Sequence, residues 1–129
     1  MNNARAVMQY TEQAGITAAP DELLVMILNA EIKNIRMAAI AIKEKRISDA
    51  HGRLIKAQDI IDELIMSLDM SYEISGDLMA LYCFIKDKLV EANIKKDIGI
   101  LEQLVPVVTE LRDTWAQASK LIRTRQNVV

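Results

Sequence analysis

His51, with Gly52, Arg53 and Lys56 close behind it, is the grouping in this 129-residue chain whose side chains suit covalent chemistry. An exposed imidazole beside cations can take up a phosphoryl group, the ring nitrogen serving as nucleophile and the cations holding the anion. Its placement argues the other way. Ser48 and Asp49 read as the cap and first turn of a helix, so His51 falls in a first turn next to a carboxylate, and the small Gly52 follows at once instead of one turn away. The same residues equally make a solvated first-turn histidine. Other chemistries fail on inventory: one His and one Cys cannot supply a zinc site or the repeated Glu-x-x-His ligands of a di-iron bundle. There is no glycine-rich phosphate loop and no Ser-His-Asp or Cys-His arrangement. Cys83 stands among Leu81, Tyr82 and Ile85 without a neighbouring base to activate it, and packing is its expected role. Neither an enzyme nor a cofactor-bearing or metal-bearing protein is expected.

The elements that position these residues follow from composition and period. Four Gly and two Pro leave little turn chemistry for a many-stranded sheet, and half the chain is hydrophobic, so an all-α domain is expected. Sixteen Lys and Arg against eighteen Asp and Glu give a net charge of -2, and five aromatics are too few for base stacking, which together exclude a nucleic-acid partner. A single Cys and no apolar signal core in residues 1 to 20 point to a reducing cytoplasm. The longest uncharged stretches, Leu23 to Ala30 among them, are far short of the ~20 residues of a membrane span.

Pro20, Asp21 and Glu22 form a helix start: Pro is preset for the first helical position and the carboxylates favour the positive end of the macrodipole. Leu24, Ile27, Leu28, Ile35, Ala38 and Ile42 then line one face, and a basic run, Lys43 to Arg46, ends the helix. Ser48 caps a second helix with the stripe Ala50, Leu54, Ala57, Ile61, Leu64 and Leu68. After a break at 69 to 75, a third carries Leu78, Leu81, Tyr82, Ile85, Leu89 and Ala92, and Asn93 is its expected left-handed cap. Asp97 caps a fourth, striped by Leu101, Leu104, Val108, Leu111, Trp115, Ala118 and Ile122. Pro106 lies inside that stripe and predicts a kink or tightened turn over 102 to 106. Short connections favour antiparallel neighbours, hence an antiparallel four-helix bundle with a short N-terminal helical segment. The whole chain, 1 to 129, reads as one domain, with 1 to 19 as a mobile N-terminal segment and a possible short helix at 4 to 14.

One bundle core does not account for all the apolar residues. Leu23 to Leu28 are apolar all round the helix, and Met26, Met37 and Met66 fall off the main stripes. Met is a gap-filler in cores and an adaptable contact at binding surfaces, so a second apolar surface that accepts another helix is a fair expectation.

In order, Thr-Ala-Ala-Pro-Asp-Glu-Leu-Leu at 17 to 24, Lys-Ala-Gln-Asp-Ile-Ile-Asp-Glu-Leu at 56 to 64, Ser-Leu-Asp-Met at 67 to 70, Leu-Tyr at 81 to 82, Glu-Ala-Asn-Ile-Lys-Lys-Asp at 91 to 97 and Leu-Arg-Asp-Thr-Trp at 111 to 115 run through the chain. Each is weak alone; as an ordered set they resemble the flagellin-specific export chaperones, the FliS family, from about residue 10 to 118. Tyr10 matches the N-terminal tyrosine of that family. Ala19 stands where the family commonly has a capping Ser, and Pro106 stands in a helix the family usually runs without proline.

The resemblance implies a cytoplasmic flagellar secretion chaperone that binds the disordered C-terminal segment of flagellin in apolar grooves, prevents its premature polymerisation and hands it to the flagellar export apparatus. It needs no nucleotide or metal, and other flagellin regulators are further possible partners. Client contacts are expected at Tyr10, Leu24, Ile27, Leu28, Ile61, Ile65 and Tyr72, with Tyr10 and its neighbour Val7 acting as a competitive lid, while Trp115 and Leu81 are expected in the core. The competing classes are a histidine-phosphotransfer bundle using His51 and a generic helical adaptor.

Overall fold

The computed structural model describes the backbone of residues 20–127 and the side chains of residues 22–121. Four helices account for nearly all of it: α1 (Pro20–Lys43), α2 (Ile47–Met66), α3 (Ile74–Lys95) and α4 (Ile98–Asn127). The expected N-terminal helix at 4 to 14, and Tyr10 with it, lies outside the described residues. Pro20 is the first helical residue of α1, as its missing N–H and fixed φ favour.

Each helix packs on its sequence neighbours, and α4 closes the ring against α1. The cross-helix contacts run in opposite senses. Arg112 of α4 reaches Asn29 of α1 while Leu101 and Val105 share a groove with Arg36 and Ile40; Arg53 of α2 reaches Asn34 of α1, and His51 and Asp62 of α2 meet Asn93 and Lys86 of α3. This is the expected antiparallel bundle. Its core is the set of predicted stripes: Leu28, Ile35 and Ala38 from α1, Leu54, Ala57 and Ile61 from α2, Ile85, Leu89 and Ala92 from α3, and Leu101, Leu104 and Val108 from α4, all at most 1% exposed. One member of the α1 stripe is not apolar. Glu31 sits between Leu28 and Ile35, fully buried.

The corners differ from expectation in instructive ways. Helix α2 starts one residue before Ser48, with Arg46 at the cap position and no side-chain cap bond. The preceding turn explains it: the N–H groups of Arg46 and Lys45 bond back to the carbonyls of Ala41 and Ile42, and Lys45 adopts a left-handed φ of 61°, which closes α1 in a Schellman motif without glycine. At the end of α3 the left-handed residue is Lys96, φ 50°, not Asn93. Asn93 is instead buried and faces α2, where its side chain meets His51. Cys83 is exposed, because α3 turns Tyr82 and Ile85 inward and leaves position 83 on the outside. Asp97 does cap α4, its carboxylate accepting the N–H of Gly99 at 2.9 Å.

Helix α4 continues through Pro106 as a single helix of 30 residues, so the proline expected to kink or tighten the turn over 102 to 106 does not end the helix. Pro106 lies on the exposed side, where water can serve the Glu102 carbonyl that the ring leaves without a donor. Pro106→Ala restores that N–H and relieves the ring clash, so we expect it to stabilise the bundle by about 1–3 kcal/mol in urea denaturation.

Candidate functional site

Of the residues expected to meet a partner, Leu28 and Ile61 are completely buried and Ile27 is 5% exposed. They belong to the bundle core, and a partner reaches them only if helices separate. Leu24 and Ile65 are partly buried at the edge of the core, and Tyr72 is 63% exposed. Trp115 and Leu81 also pack on the edge of the core.

Ile65 and Tyr72 come together at the corner between α2 and α3. The chain leaves α2 through Ser67, whose hydroxyl donates to the Leu64 carbonyl, and turns back by Tyr72 N–H to Asp69 O and Ser75 N–H to Tyr72 O. The Asp69 carboxylate accepts both the N–H and the hydroxyl of Ser71, which hold its carboxyl below the usual carboxylate range, and buried Ser75 donates its hydroxyl to the Asp69 carbonyl. These bonds hold the corner backbone in a defined path. Along it Met66, Met70, Tyr72 and Ile74 all point into solvent at 57–70% exposure. Four large apolar side chains exposed within nine residues form a patch of the kind that marks an interaction surface. Leu24 lies at the same end of the bundle, where α1 begins beside the last turns of antiparallel α2.

Two grooves lie toward the other end of α1, the first lined mainly by apolar residues and the second by more polar than apolar ones. One, about 350 Å³, lies between α1 and α4 over Ala39, Ile40, Leu101 and Val105, with Arg36 and Glu102 on its rim. The other, about 510 Å³, lies between α1 and α2 and includes Met37, Ile40, Arg53 and Lys56. Met26 and Met66, which fall off the stripes, are exposed, and Met37 lines a groove. Sequence periodicity missed Ile74, which falls in the break between stripes, and it missed Ile40 on the back of α1. The apolar alternation at 70, 72 and 74 was the available sign.

The His51 grouping takes a different form. The imidazole Nδ1 lies 3.1 Å from Asn93 Nδ2 and 3.3 Å from Asn93 Oδ1, a polar contact that ties α2 to α3. Lys96 donates to Asn93 Oδ1 from the other side at 2.7 Å. Arg53 does not turn toward the imidazole; it donates to Asn34 Oδ1 of α1 at 3.1 Å. The histidine thus serves a cross-helix polar contact. Among the described residues no group of three His, Cys, Asp or Glu side chains is placed to hold a metal ion, and no helix is long and apolar enough to cross a membrane.

Comparison with known proteins places the chain in a family. The family model described as "Flagellar protein FliS" matches residues 1–121. The flagellar secretion chaperone FliS of Bacillus subtilis is 41% identical over 109 residues, covering 84% of this chain and 82% of that protein. Its counterpart in Vibrio cholerae is 28% identical over 102 residues, covering 78% and 75%, and that of Escherichia coli K12 is 24% identical over 110 residues, covering 83% and 81%. These relatives are chaperones and not enzymes. With a family match over nearly its whole length and a bundle that exposes apolar surface, this chain belongs to the FliS family of flagellar secretion chaperones.

Proposed function

We propose that the chain is a cytoplasmic chaperone for flagellin, holding the flagellin C-terminal segment as helices against its apolar surface until the segment passes to the export apparatus. The observation that carries this reading is the exposed patch at the α2–α3 corner, Met66, Met70, Tyr72 and Ile74, on a bundle whose core is already filled. A chain that folds fully yet leaves so much apolar area in water has surface available for a partner. Ile65 and Leu24 border it and supply partly buried anchors. Binding a disordered client costs several kcal/mol of ordering, so a large apolar contact gives a moderate, releasable affinity.

The reading is tested by mixing the chain with monomeric flagellin and with flagellin lacking its C-terminal segment, and following both by size-exclusion chromatography. Full-length flagellin is expected to co-elute with the chain and to remain monomeric, and the truncated form to elute alone. Equal retention of both forms, or of neither, contradicts it.

A further inference from the structure

Glu31 occupies a core position by register. The α1 stripe steps by four and three from Leu24 through Leu28, Glu31, Ile35 and Ala38 to Ile42. Its side chain is fully buried, and among the described residues neither carboxyl oxygen has a hydrogen-bond partner. The pairs Arg53 with Asn34 and Arg112 with Asn29 place it level with Ala57 on α2 and with the turn from Val108 to Leu111 on α4, which is buried apolar surface. On the two helices packed against α1, the charged residues at that level are Lys56 and Asp59 on α2 and Glu110 on α4, all exposed to solvent. On α1 itself Lys33 is exposed, and the two nearby guanidinium groups are engaged elsewhere, Arg53 of α2 by Asn34 and the partly buried Arg112 of α4 by Asn29 and Asp113. Thr109 on α4, at the same level, also buries a hydroxyl without a partner. Among the described residues no counter-charge is paired with this carboxyl and no donor bonds it, and the neutral acid loses far less than a carboxylate on leaving water.

We propose that Glu31 is a proton-operated lock on the packing of α1: the bundle closes around the neutral acid, and loss of that proton loosens α1 from α2 and α4. Burial pushes this carboxyl from 4.5 up to about 9. Between those values the folded chain carries a proton that the unfolded chain has released. Stability therefore falls as pH rises across that window and levels off above it, by up to about tenfold in the folding constant per pH unit. Other shifted groups act outside the middle of the window. Asp69 and Glu91, held down by hydrogen bonds from Ser71 and Lys95, lower stability only in acid, and Lys86 and Lys95, raised by their bonds to Asp62 and Glu91, lower it only in strong alkali.

The test is urea unfolding of the full chain at pH 5.5, 7.0 and 8.5, for the wild type, Glu31→Gln and Glu31→Leu, together with the side-chain carboxyl carbon shift of Glu31 by NMR. The wild-type folding constant is expected to fall about tenfold per unit, both variants to lack that slope, and the carbon shift at pH 7.0 to be that of a protonated acid. A wild-type constant that does not fall, a Gln variant that keeps the same slope, or a carboxylate shift at pH 7.0 overturns the proposal. If neither variant folds, the wild-type slope and the carbon shift decide it.

Discussion

Ile65→Glu is expected to weaken capture of a flagellin C-terminal peptide at least ~30-fold, about 2 kcal/mol or more, while the far-ultraviolet spectrum stays helical. The size of the effect comes from position. Ile65 is only partly buried in the free bundle and lies beside the exposed Met66, Met70 and Tyr72, so a bound helix would complete its burial. A carboxylate there would have to be desolvated against an apolar partner with nothing to pair it. The free protein loses little, since the new charge can reach water at the bundle edge. Fluorescence anisotropy of a labelled peptide and circular dichroism of the same samples separate the outcomes. A variant that loses its helical signal places Ile65 in the core, and one that binds normally removes the corner from the binding surface.

Leu28→Ala is expected to cost 2–5 kcal/mol, roughly, in urea denaturation, a large part of the 5–15 kcal/mol that a domain of this kind typically has. Leu28 is completely buried next to the Glu31 layer on α1, the helix that packs on both α2 and α4, and removing its branched end leaves a cavity that α1 cannot collapse without moving both neighbours. Any loss of peptide binding by this variant should track the unfolded fraction and be recovered at lower temperature or lower urea. The contrast with Ile65→Glu is informative, because both residues are candidates for client contact and only one is accessible in the closed bundle. Tight binding that leaves Leu28 amides exchanging with solvent would instead mean that the client opens the bundle.

The helices were legible because burial in a two-sided bundle imposes a period of three and four. Leu28, Leu54, Ile85 and Val108 all fall where their stripes put them. Helix ends were less legible. Local chemistry suggested Ser48 as the N-cap of α2 and Asn93 as the left-handed end of α3, whereas Arg46 takes the first place and Lys96 the second, because the tight antiparallel turns set the backbone there whatever the residue's preference. Asn93 lies two residues before the last residue of its helix and spends its amide on His51 across the bundle, a contact that no single-helix pattern contains. Glu31 was hidden by the same habit of reading apolar residues only: the gap between Leu28 and Ile35 is a core position occupied by an acid. Pro106 lies on the exposed side of α4, and the helix continues through it. Of the candidate site, Tyr72 is exposed and Ile65 partly buried, while Leu28 and Ile61 lie on the stripes that the core claims. A stripe identifies the side of a helix that is covered; it does not say whether its own chain or another covers it.

Isothermal titration of the full chain with a synthetic flagellin C-terminal peptide, at two temperatures, tests the central claim most directly. One-to-one saturable binding is expected, with a negative heat-capacity change from apolar burial coupled to helix formation, and with binding lost in Ile65→Glu. Absence of saturable binding at both temperatures by a chain that circular dichroism shows to be folded, or binding that Ile65→Glu and Tyr72→Glu both leave unchanged, would contradict it.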